Sequence, residues 1–139
     1  MRIIGVDPGS TVTGYAVIEC EGDLMTVLTM GIIKLAKFDN HQQKLREIFF
    51  RVQSVIERYS PTAMAIEAPF YGKNPQSMLK LGRAQGVAIA AASVMGLEVE
   101  EYSPKRIKQS ITGNGTASKE KGAGMLSIIL GKNLDSTAL

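Results

Sequence analysis

From His41 to Tyr59 the apolar residues Leu45, Ile48, Phe49, Val52, Val55, Ile56 and Tyr59 recur at helical spacing, whereas the chain before them has strand character. That order constrains the fold more than any other feature of the sequence. Residues 2–6 are a short apolar run that stops at Asp7-Pro8-Gly9, and residues 13–20 and 24–34 are two longer runs rich in Val, Ile and Thr. The Glu21-Gly22-Asp23 segment between these two is short enough to close a hairpin. Asn40 is placed to cap the helix, with Gln43 three residues on to complete a capping box.

After the helix the chain alternates. Residues 63–66 form an apolar run, Asn74-Pro75 opens a second helix that heads toward Met95, and residues 98–102 form a fifth strand. That second helix is rich in small residues (Gly82, Gly86, Ala88, Ala90, Ala91, Ala92), a composition suited to close packing in a core or against another subunit. Ser103-Pro104 begins a short helix to Gln109, residues 113–117 are a loop, and Ser118 caps a last helix to about residue 130. Three strands, a helix and then alternation predict a single α/β domain over residues 1–139. Its first, fourth and fifth strands run parallel through helical crossovers.

In such sheets, ligands gather at the carboxyl ends of the strands. Asp7 ends the first apolar strand and Glu67 follows the fourth. A carboxylate in that position is costly unless a metal, a cation or water satisfies it. If the two strands are neighbours, the acids lie about 5 Å apart and can share one divalent cation. Asp135, near the C-terminus, is a candidate third ligand. The chain holds one His and one Cys. Zinc therefore lacks its usual donors, which favours magnesium, or manganese in its place. Each acid has a plainer reading: Asp before Pro-Gly is a common turn residue, and Asp135 could cap a helix.

Charge is uneven. Residues 1–70 carry seven Lys/Arg against eight Asp/Glu, a balance of −1, and residues 71–139 carry nine against five, a balance of +4. The second half therefore offers a surface that suits phosphate, although a solvated basic face would show the same count. With one cysteine, no internal disulfide forms, and Cys20 reads as a core or edge residue in a reducing cytosol. No apolar run approaches a membrane span, and no signal-peptide pattern opens the chain. His41, at a helix start away from any motif, reads as a surface residue.

Three blocks of sequence resemble the RuvC Holliday-junction resolvase family. The first is Ile4-Gly5-Val6-Asp7-Pro8-Gly9-Ser10 with Thr13-Gly14-Tyr15-Ala16. The second is Ala65-Ile66-Glu67-Ala68-Pro69-Phe70 with Lys73-Asn74-Pro75 and Lys80-Leu81-Gly82-Arg83-Ala84-Gln85-Gly86. The third is Pro104-Lys105-Arg106-Ile107-Lys108-Gln109, Gly113-Asn114-Gly115 and Ala117-Ser118-Lys119-Glu120. They occur in order and span nearly the whole chain.

The resemblance implies a ribonuclease-H-like fold: a five-stranded mixed sheet flanked by helices. It also implies a symmetric homodimer and metal-dependent nicking of two opposed strands at a four-way DNA junction, with a branch-migration helicase complex as partner. Asp7, Glu67 and Asp135 become metal ligands, probing a site that takes two Mg2+ ions, or Mn2+. Phe70 becomes the aromatic that stacks on a base at the junction, with Tyr71 beside it. Lys108 and Lys119 become DNA contacts near the active site. Lys119 also follows a glycine-rich loop at a helix start, a setting that favours phosphate. Residues 113–119 are not a P-loop, because Gly-Lys-Ser/Thr is absent. Lys73, Lys80, Arg83 and Lys105 are further candidates for backbone contacts, which position DNA without reading its bases.

The sequence departs from the family at its end. The family closes with Asp-x-x-Asp on a long helix, whereas this chain reads Asp135-Ser136-Thr137-Ala138, with Ala138 at the second acid's position and a short final helix. A second metal would then be held less firmly. Two other readings follow: a junction-binding protein without catalysis, and an actin-like ATPase, because Asp7-Pro8-Gly9-Ser10-Thr11 also resembles the first phosphate turn of that fold.

Overall fold

The structure is a computed structural model and describes residues 1–22, 24–68 and 74–102. The elements are β1 (Arg2–Asp7), β2 (Val12–Glu21), β3 (Leu24–Lys34), α1 (His41–Tyr59), β4 (Ala63–Glu67), α2 (Pro75–Val94) and β5 (Glu98–Tyr102). The helices expected beyond Ser103 lie outside the described residues.

The five strands make one sheet in the order β3-β2-β1-β4-β5. β2 and β3 form the expected hairpin, with Glu21 opposite Leu24 and Gly22 at φ 60°, a left-handed conformation that glycine adopts without steric cost. β1 pairs antiparallel with β2, and β4 lies parallel to both β1 and β5. The predicted direction of strands one, four and five is therefore the one observed, and α1 and α2 supply the crossovers.

Alternation along the strands sorts the core into two faces. Ile4, Val6, Val17, Met64 and Ile66 pack with Ile48, Val52 and Ile56 of α1 and with Ala84, Ala88, Ala91 and Ala92 of α2. Ile3, Ala16, Ile18 and Cys20 form a second cluster with Ala65 and Met25 against it. Among the described residues, both helices cover the first face only. Cys20 is buried, as a core residue should be.

Local chemistry sets the helix ends. Asn40 caps α1 by accepting from the Gln43 amide at 2.8 Å, and Asn74 caps α2 by accepting from Gln76 N at 2.9 Å and Ser77 N at 3.4 Å. Pro75 occupies the first turn of α2, where no amide hydrogen is needed. α1 ends at Ser60, which adopts a left-handed φ of 51° and returns its N–H to the Ile56 carbonyl. No described helix is long and apolar enough to cross a membrane.

The small residues of α2 divide between two environments. Ala84, Ala88, Ala91 and Ala92 are buried against the sheet and α1. A methyl group added at Gly82 or Gly86 would meet nothing within 4 Å among the described residues. The core uses the alanines, and the glycines lie on the outer side.

Candidate active site

Val6 pairs with Ile66 across the parallel β1–β4 ladder, so the next residues along, Asp7 and Glu67, end adjacent strands side by side. The pleat gives both the same direction. Ile4, Val6, Met64 and Ile66 face the helices, which leaves Asp7 and Glu67 on the opposite face with Ile3 and Ala65. On its other flank Asp7 lies opposite Gly14 of β2, which puts no side chain beside the carboxylate.

The two side chains are hydrogen-bonded to each other. Burial raises the Glu67 carboxyl first, and the hydrogen bond to Asp7 and the Asp7 charge raise it further, to about 7. Two carboxylates this close do not both ionise readily, so without a cation Glu67 keeps its proton well above the ordinary carboxyl range. A divalent ion would replace that proton and relieve the repulsion. Their oxygen donors and enforced proximity fit a hard cation such as magnesium or manganese. Among the described residues no group of three or more His, Cys, Asp or Glu side chains converges. Asp135 lies outside the described residues.

The turn after Asp7 is built tightly. Thr13, fully buried, donates through Oγ1 to the Gly9 carbonyl at 3.0 Å and accepts from the Gly9 amide at 3.2 Å. A Cβ at residue 9 would sit 2.1 Å from the Val12 carbonyl oxygen, so no other residue fits without moving backbone. This clamp fixes how the chain leaves β1 and thereby holds Asp7. Thr13 was legible only as a strand residue; its hydroxyl role depends on the turn's path.

The basic candidates are placed in part. Lys80 and Arg83 are exposed in the first half of α2. Because β3, β4 and β5 all point the same way as β1, α1 and α2 both begin at the carboxyl end of the parallel strands, the end that holds the acids. Phe70, Tyr71, Lys73, Lys105, Lys108 and Lys119 lie outside the described residues. His41, expected at the surface, is half-buried at the start of α1, and its Nε2 is shielded from water with no hydrogen-bond partner among the described residues.

Sequence analysis also left Gln85 without a role of its own. It is buried on α2 and donates from Nε2 to Oε1 of Glu101 at 2.7 Å, tying the helix to edge strand β5 one residue before the end of that strand. A buried amide needs such a partner.

Comparison with known proteins follows the same geometry. The family model described as crossover junction endodeoxyribonuclease RuvC matches residues 3–137. A relative of that name from Porphyromonas gingivalis is 56% identical over 124 residues, covering 89% of this chain and 66% of the relative. The solved Thermus thermophilus RuvC structure superposes with a TM-score of 0.75 at 33% identity, covering 94% of this chain and 81% of that one. T. thermophilus RuvC in complex with Holliday junction substrate gives 0.73 at 27% identity, over 81% and 71% of the respective chains. The mixed five-stranded sheet is thus the ribonuclease-H-like arrangement that the sequence implied. The chain spans about two thirds of the length of the first curated relatives it matches.

Proposed function

The chain belongs to the crossover junction endodeoxyribonuclease RuvC family, and on that footing we propose that it resolves four-way DNA junctions by metal-dependent phosphodiester hydrolysis, nicking two opposed strands symmetrically. The observation that carries this reading is the Asp7–Glu67 pair, hydrogen-bonded at the ends of adjacent parallel strands with the Glu67 carboxyl raised to about 7. Among the described residues no Lys or Arg pairs with these acids; instead two acids face each other, which makes sense when an external cation is part of the working state.

Asp7 and Glu67, with Asp135 as third donor, are the residues that would hold Mg2+ or Mn2+, two ions per site. Bound there, the ions would activate water and stabilise the leaving oxygen of an in-line displacement. The protein's own part is to fix the donors. β-sheet register sets their spacing, the Gly9–Thr13 clamp sets the exit from β1, and Glu67, its carboxyl raised to about 7, is the donor whose proton a bound cation would displace. Phe70 stacks on a base at the junction centre, following a catalytic carboxylate closely enough to reach it. Lys105, Lys108 and Lys119 neutralise phosphate near the site, and Lys80 and Arg83 extend that contact along α2.

Cutting two strands together requires two sites, so the working form is a two-fold homodimer acting in the cytoplasm with a branch-migration helicase complex. The test is incubation with synthetic four-way junctions and magnesium. Paired symmetric nicks, lost in Asp7→Asn, are expected. Junction binding with metal bound but no nicks would leave a binding protein without catalysis, the reading that Ala138 favours.

A further inference from the structure

The two acids face each other just past the end of the ladder that joins their strands. β1 and β4 pair from Ile3 opposite Ala63 to Val6 opposite Ile66. Beyond that point each acid has its rung on the far side, Asp7 with Gly14 of β2 and Glu67 with Tyr102 of β5. The two supports differ. β2 is an inner strand, paired with β3 on its other side, and the Gly9–Thr13 hydrogen bonds brace its start. β5 is the edge of the sheet, with β4 as its one neighbouring strand among the described residues. A strand end held on one side frays readily.

A buried amide braces that end. Gln85 of α2 is 8% exposed and donates from Nε2 to Oε1 of Glu101 at 2.7 Å, one rung before the rung that holds Glu67. The other buried residues of α2, Ala84, Ala88, Ala91 and Ala92, are all alanine. An amide among them carries a desolvation cost that an apolar side chain does not. The bond to Glu101 offsets that cost, yet an apolar pair of the same shape would be about as stable. Stability alone therefore does not call for a glutamine here, whereas a fixed end to β5 does.

We propose that Gln85 is a positioning residue for the metal site: through Glu101 it holds the end of β5, and the Glu67–Tyr102 rung passes that constraint to the Glu67 backbone. The inference rests on the metal-binding reading of Asp7 and Glu67 and adds a support that neither acid touches. Asp7 keeps its own support on β2, so loss of the latch loosens one donor and leaves the other in place.

Manganese alone, titrated into the DNA-free protein and followed by the EPR signal of the free ion, reads how well the donors are placed. Groups that orient metal ligands from behind contribute about 10- to 100-fold in affinity. Gln85→Met, close to glutamine in volume but without the donor, should weaken manganese binding by about tenfold while the melting temperature stays within about 3 °C of the parent. Glu101→Gln keeps an acceptor oxygen for Gln85 and should bind manganese like the parent. Linkage also requires reciprocity, so metal must strengthen the latch as the latch strengthens metal binding. In the unsubstituted protein, hydrogen exchange of the Gln85 side-chain amide, followed by NMR, should therefore slow severalfold when magnesium is added. This second readout does not depend on a variant folding. Manganese affinity that is unchanged in Gln85→Met, or that falls only together with the melting temperature, overturns the latch and leaves the metal site standing. Magnesium binding without slower exchange at Gln85 does the same. Failure of the unsubstituted chain to bind either ion at the acids overturns both.

Discussion

The acid pair and the basic residues Lys80 and Arg83 of α2 lie at the same end of the sheet but are held by different means. Asp7 and Glu67 sit on strand ends whose spacing the β1–β4 ladder dictates, and hydrogen bonds between the Gly9 backbone and the Thr13 hydroxyl lock the exit from β1. Lys80 and Arg83 project from a helix on long side chains into solvent. Hydrolysis requires oxygen donors placed to within a fraction of an ångström, which only backbone register supplies. Holding a phosphate chain requires charge at roughly the right place, which flexible side chains supply on many geometries. The difference predicts that damage to the first region is catastrophic and to the second, graded.

The sharpest break is Asp7→Asn. It removes a donor and half the shared charge, so junction cleavage should fall by roughly a thousandfold or more, while affinity holds or rises because a charge that repels phosphate is gone. Gel assays of nicking and of binding read the two effects separately. A proportional loss of both would erase the distinction between the regions.

Next is Gly9→Ala. The 2.1 Å approach to the Val12 carbonyl cannot be accommodated by a rotamer, so the β1 exit must shift. We expect a stability loss of about 2–4 kcal/mol by denaturant unfolding, together with impaired cleavage. A variant that unfolds and cuts like the parent would show that the clamp holds nothing in place.

Glu67→Gln separates function from stability. The ordinary carboxyl value is 4.5 and the folded value about 7. The folded state therefore binds the proton more tightly, and the stability linked to Glu67 is full below 4.5 and lost as pH rises through 7. The glutamine variant escapes that loss. Without metal it should match the parent near pH 4 and exceed it above pH 7, by roughly 1–2 kcal/mol after discounting for partial exposure, while losing cleavage. Equal stability at both pH values would deny the strain at the acid pair.

The smallest effect is on α2. Lys80→Ala should weaken junction binding and flatten its salt slope by about 0.9, with cleavage at saturating DNA reduced far less than in Asp7→Asn. A loss of turnover as large as that of Asp7→Asn would place Lys80 in the chemistry instead.

How legible these regions were in the sequence differs for the same reason. Strand ends carry their own signal: an apolar run stopped by an acid says where the acid goes, and parallel order then brings residues 7 and 67 together. Asn40 and Asn74 were equally plain, since capping is local. The half-burial of His41 was less plain, since what packs around the start of a helix leaves no mark in that segment alone. The division of α2 into buried alanines and outward Gly82 and Gly86 was hidden for a related reason, since small residues on every side blur the helical period. The partnership of Gln85 with Glu101 joins a helix to an edge strand 16 residues on, and only the fold reveals it.

A crystal soaked in manganese, with anomalous scattering recorded at the metal edge, tests the centre of the account. The expected result is a peak within about 2.0–2.3 Å of a carboxylate oxygen from each of Asp7 and Glu67. Manganese bound elsewhere, with neither Asp7 nor Glu67 in its coordination, would contradict it.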